Sequence, residues 1–144
     1  MNLAEEAAVL AAKAGTANST PLVTSYVSAA NAGKITLIGV TADMASETID
    51  FALYQATDTS GTSAKSLKAA TQLAAHATNN DSKIVVITAD AADLDLDNGF
   101  VTVAGRCVTG GATGGVVALT VLGSELRYGP AALVDNAAVV EIKP

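Results

Sequence analysis

The chain has 144 residues, a length typical of one domain, and is 50% hydrophobic but only 3% aromatic. Its formal net charge of −6 excludes a basic nucleic-acid-binding protein, because an acidic surface is repelled by a phosphate backbone. One Cys and one His exclude an intrachain disulfide and leave too few ligands for a zinc site. The longest strongly apolar run, residues 116–122, is far shorter than the roughly 20 residues of a membrane-spanning helix, so we expect no membrane partner.

The first predicted element is an N-terminal helix. Apolar side chains, among them Leu3 and Leu10, recur at spacings of three and four, and Gly15 follows as a stop signal. We therefore interpret residues 1–20 as an N-terminal arm and linker, and residues 21–144 as a single β-rich domain.

Strand patterns begin after Pro21 and are interrupted once. Residues 22–27 and 34–41 predict strands, and residues 48–55 alternate apolar with polar side chains in the period of a strand. Residues 65–78 instead carry Leu and Ala at helical spacing, which predicts one inserted α-helix.

The second half of the chain returns to strands. Residues 83–88 form a continuous apolar run typical of a fully buried strand. Residues 100–109 and 116–122 predict two strands, joined as a hairpin by the glycine-rich residues 110–115, and residues 138–142 predict a last short strand. The expected fold class is mainly β: an antiparallel β-sandwich or a barrel-like domain with one inserted helix and an N-terminal arm.

An acidic cluster near residue 95 resembles the opening of a calcium loop. Asp93, Asp95 and Asp97 occupy alternate positions, but the expected glycine comes one residue late, and Ala104 stands where the bidentate acid is needed. An edge strand with one solvent-exposed face would show the same alternation of Asp with apolar residues. We predict no metal ligands, and cation binding by residues 90–97 stays an open question.

No arrangement of residues predicts catalysis. His76 lies off the apolar stripe of its segment and is interpreted as a surface residue. Cys107 lies within a strand and is interpreted as a small buried hydrophobic residue. Neither a Ser-His-Asp order nor a nucleophile elbow is present. We expect no catalytic residue, no cofactor and no enzymatic activity.

Several segments together resemble small head-associated proteins of tailed bacteriophages and prophages, which are typically encoded beside the major capsid protein. The resemblance extends from about residue 35 to residue 142 and is carried by residues 51–65, 67–73, 94–100, 121–123 and 127–131. It implies a decoration or cement protein that binds the outside of the phage head.

The resemblance also implies partners and a location. The expected partners are the major capsid protein and further copies of the chain, as a dimer or trimer, and the expected location is the capsid surface of a virion assembled in the host cytoplasm. Residues expected to contact the capsid are Leu3, Val9, Leu10 and Leu22. Low charge favours this role, because such a surface loses little hydration when it packs on a lattice.

Other functions compete with this hypothesis. One is a receptor- or carbohydrate-binding β-module of a virion, for which Tyr26, Tyr54 and Tyr128 are the tyrosines available. A neck or connector protein of the same virion is another. The last is a metal-dependent enzyme that uses residues 90–97.

Overall fold

The computed structural model describes residues 6–78 and 80–127. These residues form nine strands and two short 3-10 turns, Ala91–Asp93 and Leu96–Asn98. The strands are β1 (Ala7–Ala17), β2 (Leu22–Val23), β3 (Val27–Ser28), β4 (Lys34–Met44), β5 (Ile49–Ala56), β6 (Lys65–Ala69), β7 (Ile84–Asp90), β8 (Thr102–Thr109) and β9 (Gly115–Ser124).

The strands form two antiparallel sheets that pack face to face. The first sheet has the order β1-β9-β4-β7, and the second has the order β2-β8-β5-β6, with β3 also paired with β8. The predicted class, a mainly β antiparallel sandwich, is confirmed. No described residue belongs to a helix that is long and apolar enough to cross a membrane.

The core lies between the sheets and follows from strand alternation. Successive side chains of a strand point to opposite faces, so every second residue faces the opposing sheet. In β5 the inward residues are Ile49, Phe51 and Leu53, each at most 1% exposed. The inward residues of the first sheet are equally enclosed and include Ile35, Leu37, Val117, Leu119 and Val121.

The predicted N-terminal helix is wrong where the structure describes it. Residues 7–17 form β1, which pairs with β9 from Ala7 opposite Ser124 to Ala17 opposite Gly115. Alanine is accommodated in either conformation, and here the backbone hydrogen bonds offered by β9 outweigh its helical propensity. Since Ala8 and Ala17 are buried, this segment is part of the sandwich.

The predicted helix over residues 65–78 is also wrong. Its first part is β6, which pairs with the otherwise free edge of β5. The chain then continues without a helix, and Leu73 exchanges backbone hydrogen bonds of 3.0 and 2.9 Å with Ile49. Leu67 and Leu73 pack against the core from this edge. Their spacing suits a helix, but backbone pairing with β5 decides the conformation.

Three connections also differ from the prediction. Residues 22–27 are not one strand: β2 and β3 pair separately with β8, and residues 24–26 interrupt them. Residues 110–115 do not close a hairpin, because β8 and β9 belong to different sheets. Strand β7 exists, but it is an edge strand buried on one face only. The strand predicted at residues 138–142 lies outside the described residues.

Candidate functional site

The outer face of the first sheet is apolar and almost free of charge. Along β4, β7 and β9 the residues that alternate with the core residues point outward. Their register places Ile38 opposite Val86 and Val40 opposite Ile84. We call this surface the apolar face, and it consists of Val9, Ile38, Val40, Ile84, Val86, Val116, Ala118 and Leu122.

Exposure of the apolar face is unusually high for aliphatic side chains. Ile84 is 67% exposed, Val86 60% and Val116 51%. The outward charges of β4 and β7, Lys34 and Asp90, lie opposite each other at one end of these strands. Between them and the far end the face carries only aliphatic and threonine side chains. A contiguous exposed apolar surface of this kind is typical of an interaction site.

The outer face of the second sheet has a different chemistry. Tyr54 of β5 and Arg106 of β8 both point away from the core. Arg106 Nη1 donates a hydrogen bond of 2.9 Å to Tyr54 Oη, and the guanidinium carbon lies 4.9 Å from the centre of the tyrosine ring. This pair combines a hydrogen bond with a cation–π contact.

Tyr26 joins this pair from the segment between β2 and β3. Its ring packs on Gly61, so closely that a Cβ at Gly61 would lie 2.7 Å from Tyr26 Cε2. Burial raises the pKa of Tyr26 above its usual value; Tyr54 adds to the increase, and Arg106 opposes it. We call Tyr26, Tyr54 and Arg106 the Tyr–Arg cluster.

Small side chains form the floor beside the Tyr–Arg cluster. Ala52 lies opposite Arg106, and Ala104 lies opposite Tyr54 in the pairing of β5 with β8. Asp50 is on the same face of β5 and accepts a hydrogen bond of 2.8 Å from Gln72 Nε2. Donors, acceptors and aromatic rings therefore lie together on this face, beside two buried alanines.

The predicted capsid contacts fall in different environments. Leu3 lies outside the described residues. Val9 is half-buried and lies opposite Leu122 on the apolar face, whereas Leu10 packs against the core. Leu22 is 8% exposed and belongs to the core, so its side chain is not available at the surface.

The acidic cluster does not form a cation site within the described part of the chain. Asp93 accepts a hydrogen bond from the Asp90 N–H, whereas Asp95 contacts Lys65 and Asn98. The hydrogen bond from Lys65 lowers the pKa of Asp95. Residues 6–78 and 80–127 contain no group of three or more His, Cys, Asp or Glu placed to hold a metal ion.

Cys107 is buried and His76 is exposed, as the sequence predicts. Cys107 is fully buried, and burial raises the pKa of its thiol to about 12. Such a thiol is a poor nucleophile. His76 is exposed, and its Nδ1 accepts a hydrogen bond of 3.2 Å from the Thr78 N–H.

A small apolar pocket of about 210 Å³ opens at one end of the sandwich. Its lining is mostly alanine and leucine, with Val101 at one side and the guanidinium-bearing Arg127 as the charged residue. The pocket belongs to neither of the two outer faces.

Comparisons with known proteins give one structural likeness to report. No protein-family model and no curated protein matches the chain. Among solved structures, the chain is similar to the K3 cleaved adhesin domain of Lys-gingipain from Porphyromonas gingivalis W83, with 18% identity and a TM-score of 0.46. The likeness covers 78% of this chain and 73% of that chain. It carries no argument about function.

Sequence reasoning named Tyr26 and Tyr54 as tyrosines available to a carbohydrate, but it did not include Arg106 or bring the three residues together. Alternation in β5 places Tyr54 on the face opposite Phe51, which was a usable signal. Nothing in the sequence shows that β8 lies beside β5, or that the chain after β2 brings Tyr26 to the same face.

Proposed function

We propose that this protein is a structural virion protein that binds the outside of a phage head and stabilises or decorates the capsid. The resemblance of residues 35–142 to small head-associated phage proteins suggests this class of protein. The observation that carries the proposal is the apolar face, which offers a protein lattice an exposed and nearly uncharged aliphatic surface.

The composition of the apolar face favours a protein partner. Branched aliphatic side chains gain free energy when water is excluded from them, at roughly 25 cal/mol per Å² of buried apolar area. The absence of charge along the middle of the face means that docking removes no ion from water. Val9, an expected capsid contact, lies on this face beside Leu122.

The size of the apolar face favours many weak contacts over one strong one. Four strands about 4.8 Å apart and about seven residues long at 3.3 Å per residue span roughly 450 Å². A standard stable interface buries about 800 Å² on each partner. Copies bound side by side on a lattice compensate for a modest individual contact through avidity. Self-association into a dimer or trimer belongs to the same proposal.

Co-sedimentation with empty capsids tests the proposal. The purified protein is titrated against capsids of its own phage, and bound protein is measured relative to the major capsid protein. We expect saturation at a fixed ratio, and at least a tenfold weaker affinity for Ile84→Lys and Val86→Lys. Leu96→Lys is the matched control, because Leu96 is 56% exposed but lies off the apolar face.

Two results would overturn the proposal. One is a folded protein that does not bind capsids at any concentration tested. The other is binding to isolated neck or connector complexes but not to the capsid shell, which would assign the protein to the neck. If Leu96→Lys weakens binding as much as Val86→Lys, then the apolar face is not the contact surface. Light scattering of the free protein gives the oligomeric state.

A further inference from the structure

We propose that the Tyr–Arg cluster is a binding site for a neutral saccharide. The cluster lies on the outer face of the second sheet, whereas the apolar face lies on the first. The two outer faces of a sandwich point in opposite directions. The inference is therefore independent of capsid binding.

Aromatic rings at the cluster supply the apolar part of the recognition. A pyranose ring has faces of C–H groups, which pack on the flat side of an aromatic ring, while its hydroxyl groups point outward. Tyr54 and Tyr26 provide such rings together with polar hydroxyl groups. Gly61 packs against the Tyr26 ring, and the neighbouring Ala52 and Ala104 are buried, so the tyrosine rings and the polar groups form the exposed surface here.

Polar groups of opposite type lie on the same face. The Arg106 guanidinium has five N–H donors, and the one side-chain hydrogen bond that it makes to another described residue goes to Tyr54 Oη. Asp50 has acceptor oxygens, one of which already accepts from Gln72. A sugar hydroxyl group both donates and accepts. Neighbouring hydroxyl groups can therefore donate to Asp50 and accept from Arg106.

Charge indicates a neutral ligand rather than an acidic one. The chain carries a formal net charge of −6, and the carboxylate of Asp50 accompanies the guanidinium of Arg106 on the outer face of the second sheet. Asp50 offsets the charge of Arg106, so this face has no net positive charge to attract an acidic ligand, and the net negative charge of the chain would repel a uronic acid or a sialic acid. An uncharged hexose avoids this repulsion.

Tyrosine fluorescence gives a direct assay, because the chain has no Trp and three Tyr. A Tyr128→Phe background leaves only Tyr26 and Tyr54, both in the proposed site. This protein, free of capsids, is titrated with dextran, yeast mannan and galactan as neutral probes, and with polygalacturonate as the acidic probe. We expect a saturable fluorescence change with at least one neutral polysaccharide, confirmed by calorimetry.

Variants distinguish binding at the Tyr–Arg cluster from binding elsewhere on the surface. Tyr54→Ala and Arg106→Gln should each weaken binding at least tenfold, and Tyr54→Phe should weaken it less because the ring remains. Arg127→Gln is the charge-matched control and should bind as the background protein does. Thermal unfolding followed by circular dichroism shows whether each variant is folded.

The expected pattern supports the site, and three other patterns overturn it. These are no saturable change with any neutral polysaccharide, binding to polygalacturonate alone, and neutral binding that Arg106→Gln and Tyr54→Ala leave unchanged. Since no capsid is present, none of these outcomes depends on the proposed virion function.

Discussion

Gly39 of β4 lies directly against the ring of Phe51 in β5. A Cβ at Gly39 would lie 2.4 Å from Phe51 Cε1 and 2.6 Å from Cδ1, far inside van der Waals contact. Phe51 is 1% exposed, so its ring has little room to move away. The two sheets thus approach each other across a position that only glycine fits.

Gly39→Ala should destabilise the fold by about 1–3 kcal/mol, the usual cost of inserting a group into a packed core. Urea unfolding monitored by circular dichroism measures the change. A double-mutant cycle with Phe51→Leu is the control, because a smaller side chain makes room for the new methyl group. The two changes should then cost less together than the sum of their separate effects. A neutral Gly39→Ala variant would contradict the packing described here.

Two adjacent residues of β7 should respond very differently to truncation. Ile87 is 4% exposed and faces the core, whereas Val86 is 60% exposed and lies on the apolar face. Ile87→Ala should cost about 2–5 kcal/mol, and Val86→Ala should change the free energy of unfolding by about 0.5 kcal/mol or less. Urea unfolding of both variants checks this. The opposite order would mean that β7 pairs with β4 in another register.

Glu47 should make the loop between β8 and β9 sensitive to pH. Its carboxylate accepts hydrogen bonds of 3.1 Å from the Thr113 N–H and 2.9 Å from the Gly114 N–H. Desolvation alone would raise the pKa of Glu47, but hydrogen bonds from Thr109 and these backbone groups outweigh it and lower the pKa. A lowered folded-state pKa stabilises the fold above the unfolded-state value, and the stabilisation disappears as the pH falls through the folded-state pKa.

The Glu47→Gln variant tests this linkage. At pH 7 it should unfold at a lower temperature than the unmodified protein, and the difference should shrink as the pH falls below about 4.3, the usual glutamate value. Thermal unfolding between pH 2.5 and 7 measures both. Asp97→Asn removes an exposed carboxylate outside this loop and serves as the control. A difference independent of pH would show that the charge of Glu47 does not matter.

Cys107 should be unreactive in the folded protein. The thiol is fully buried and its pKa is raised to about 12, by desolvation first and by Asp50 second. At pH 8 iodoacetamide should therefore modify Cys107 only as fast as the protein opens, and quickly in urea. Mass spectrometry of timed samples measures the rate. Rapid modification without denaturant would mean that the β5–β8 region opens to solvent.

Strand periodicity let the sequence alone determine much of this protein. The alternation of Ile49, Phe51 and Leu53 with polar or small residues predicts β5 and its inward face, and the structure confirms both. The burial of Cys107 and the exposure of His76 were also predictable. These features depend on local pattern, because an alternating strand has one face suited to the core.

Tertiary structure decided the features that the local sequence pattern left ambiguous, namely helix or strand, buried or exposed, and which side chains meet. Residues 7–14 and 65–69 fit a helix by spacing, yet belong to β1 and β6 because unpaired strand edges satisfy their backbone groups. The apolar run of β7 looks fully buried, but its position at the edge of the first sheet leaves Ile84 and Val86 outside. Tyr26, Tyr54 and Arg106 meet only because β2, β5 and β8 share one sheet. Pairing between distant segments is a property of the folded chain, and it created both candidate surfaces.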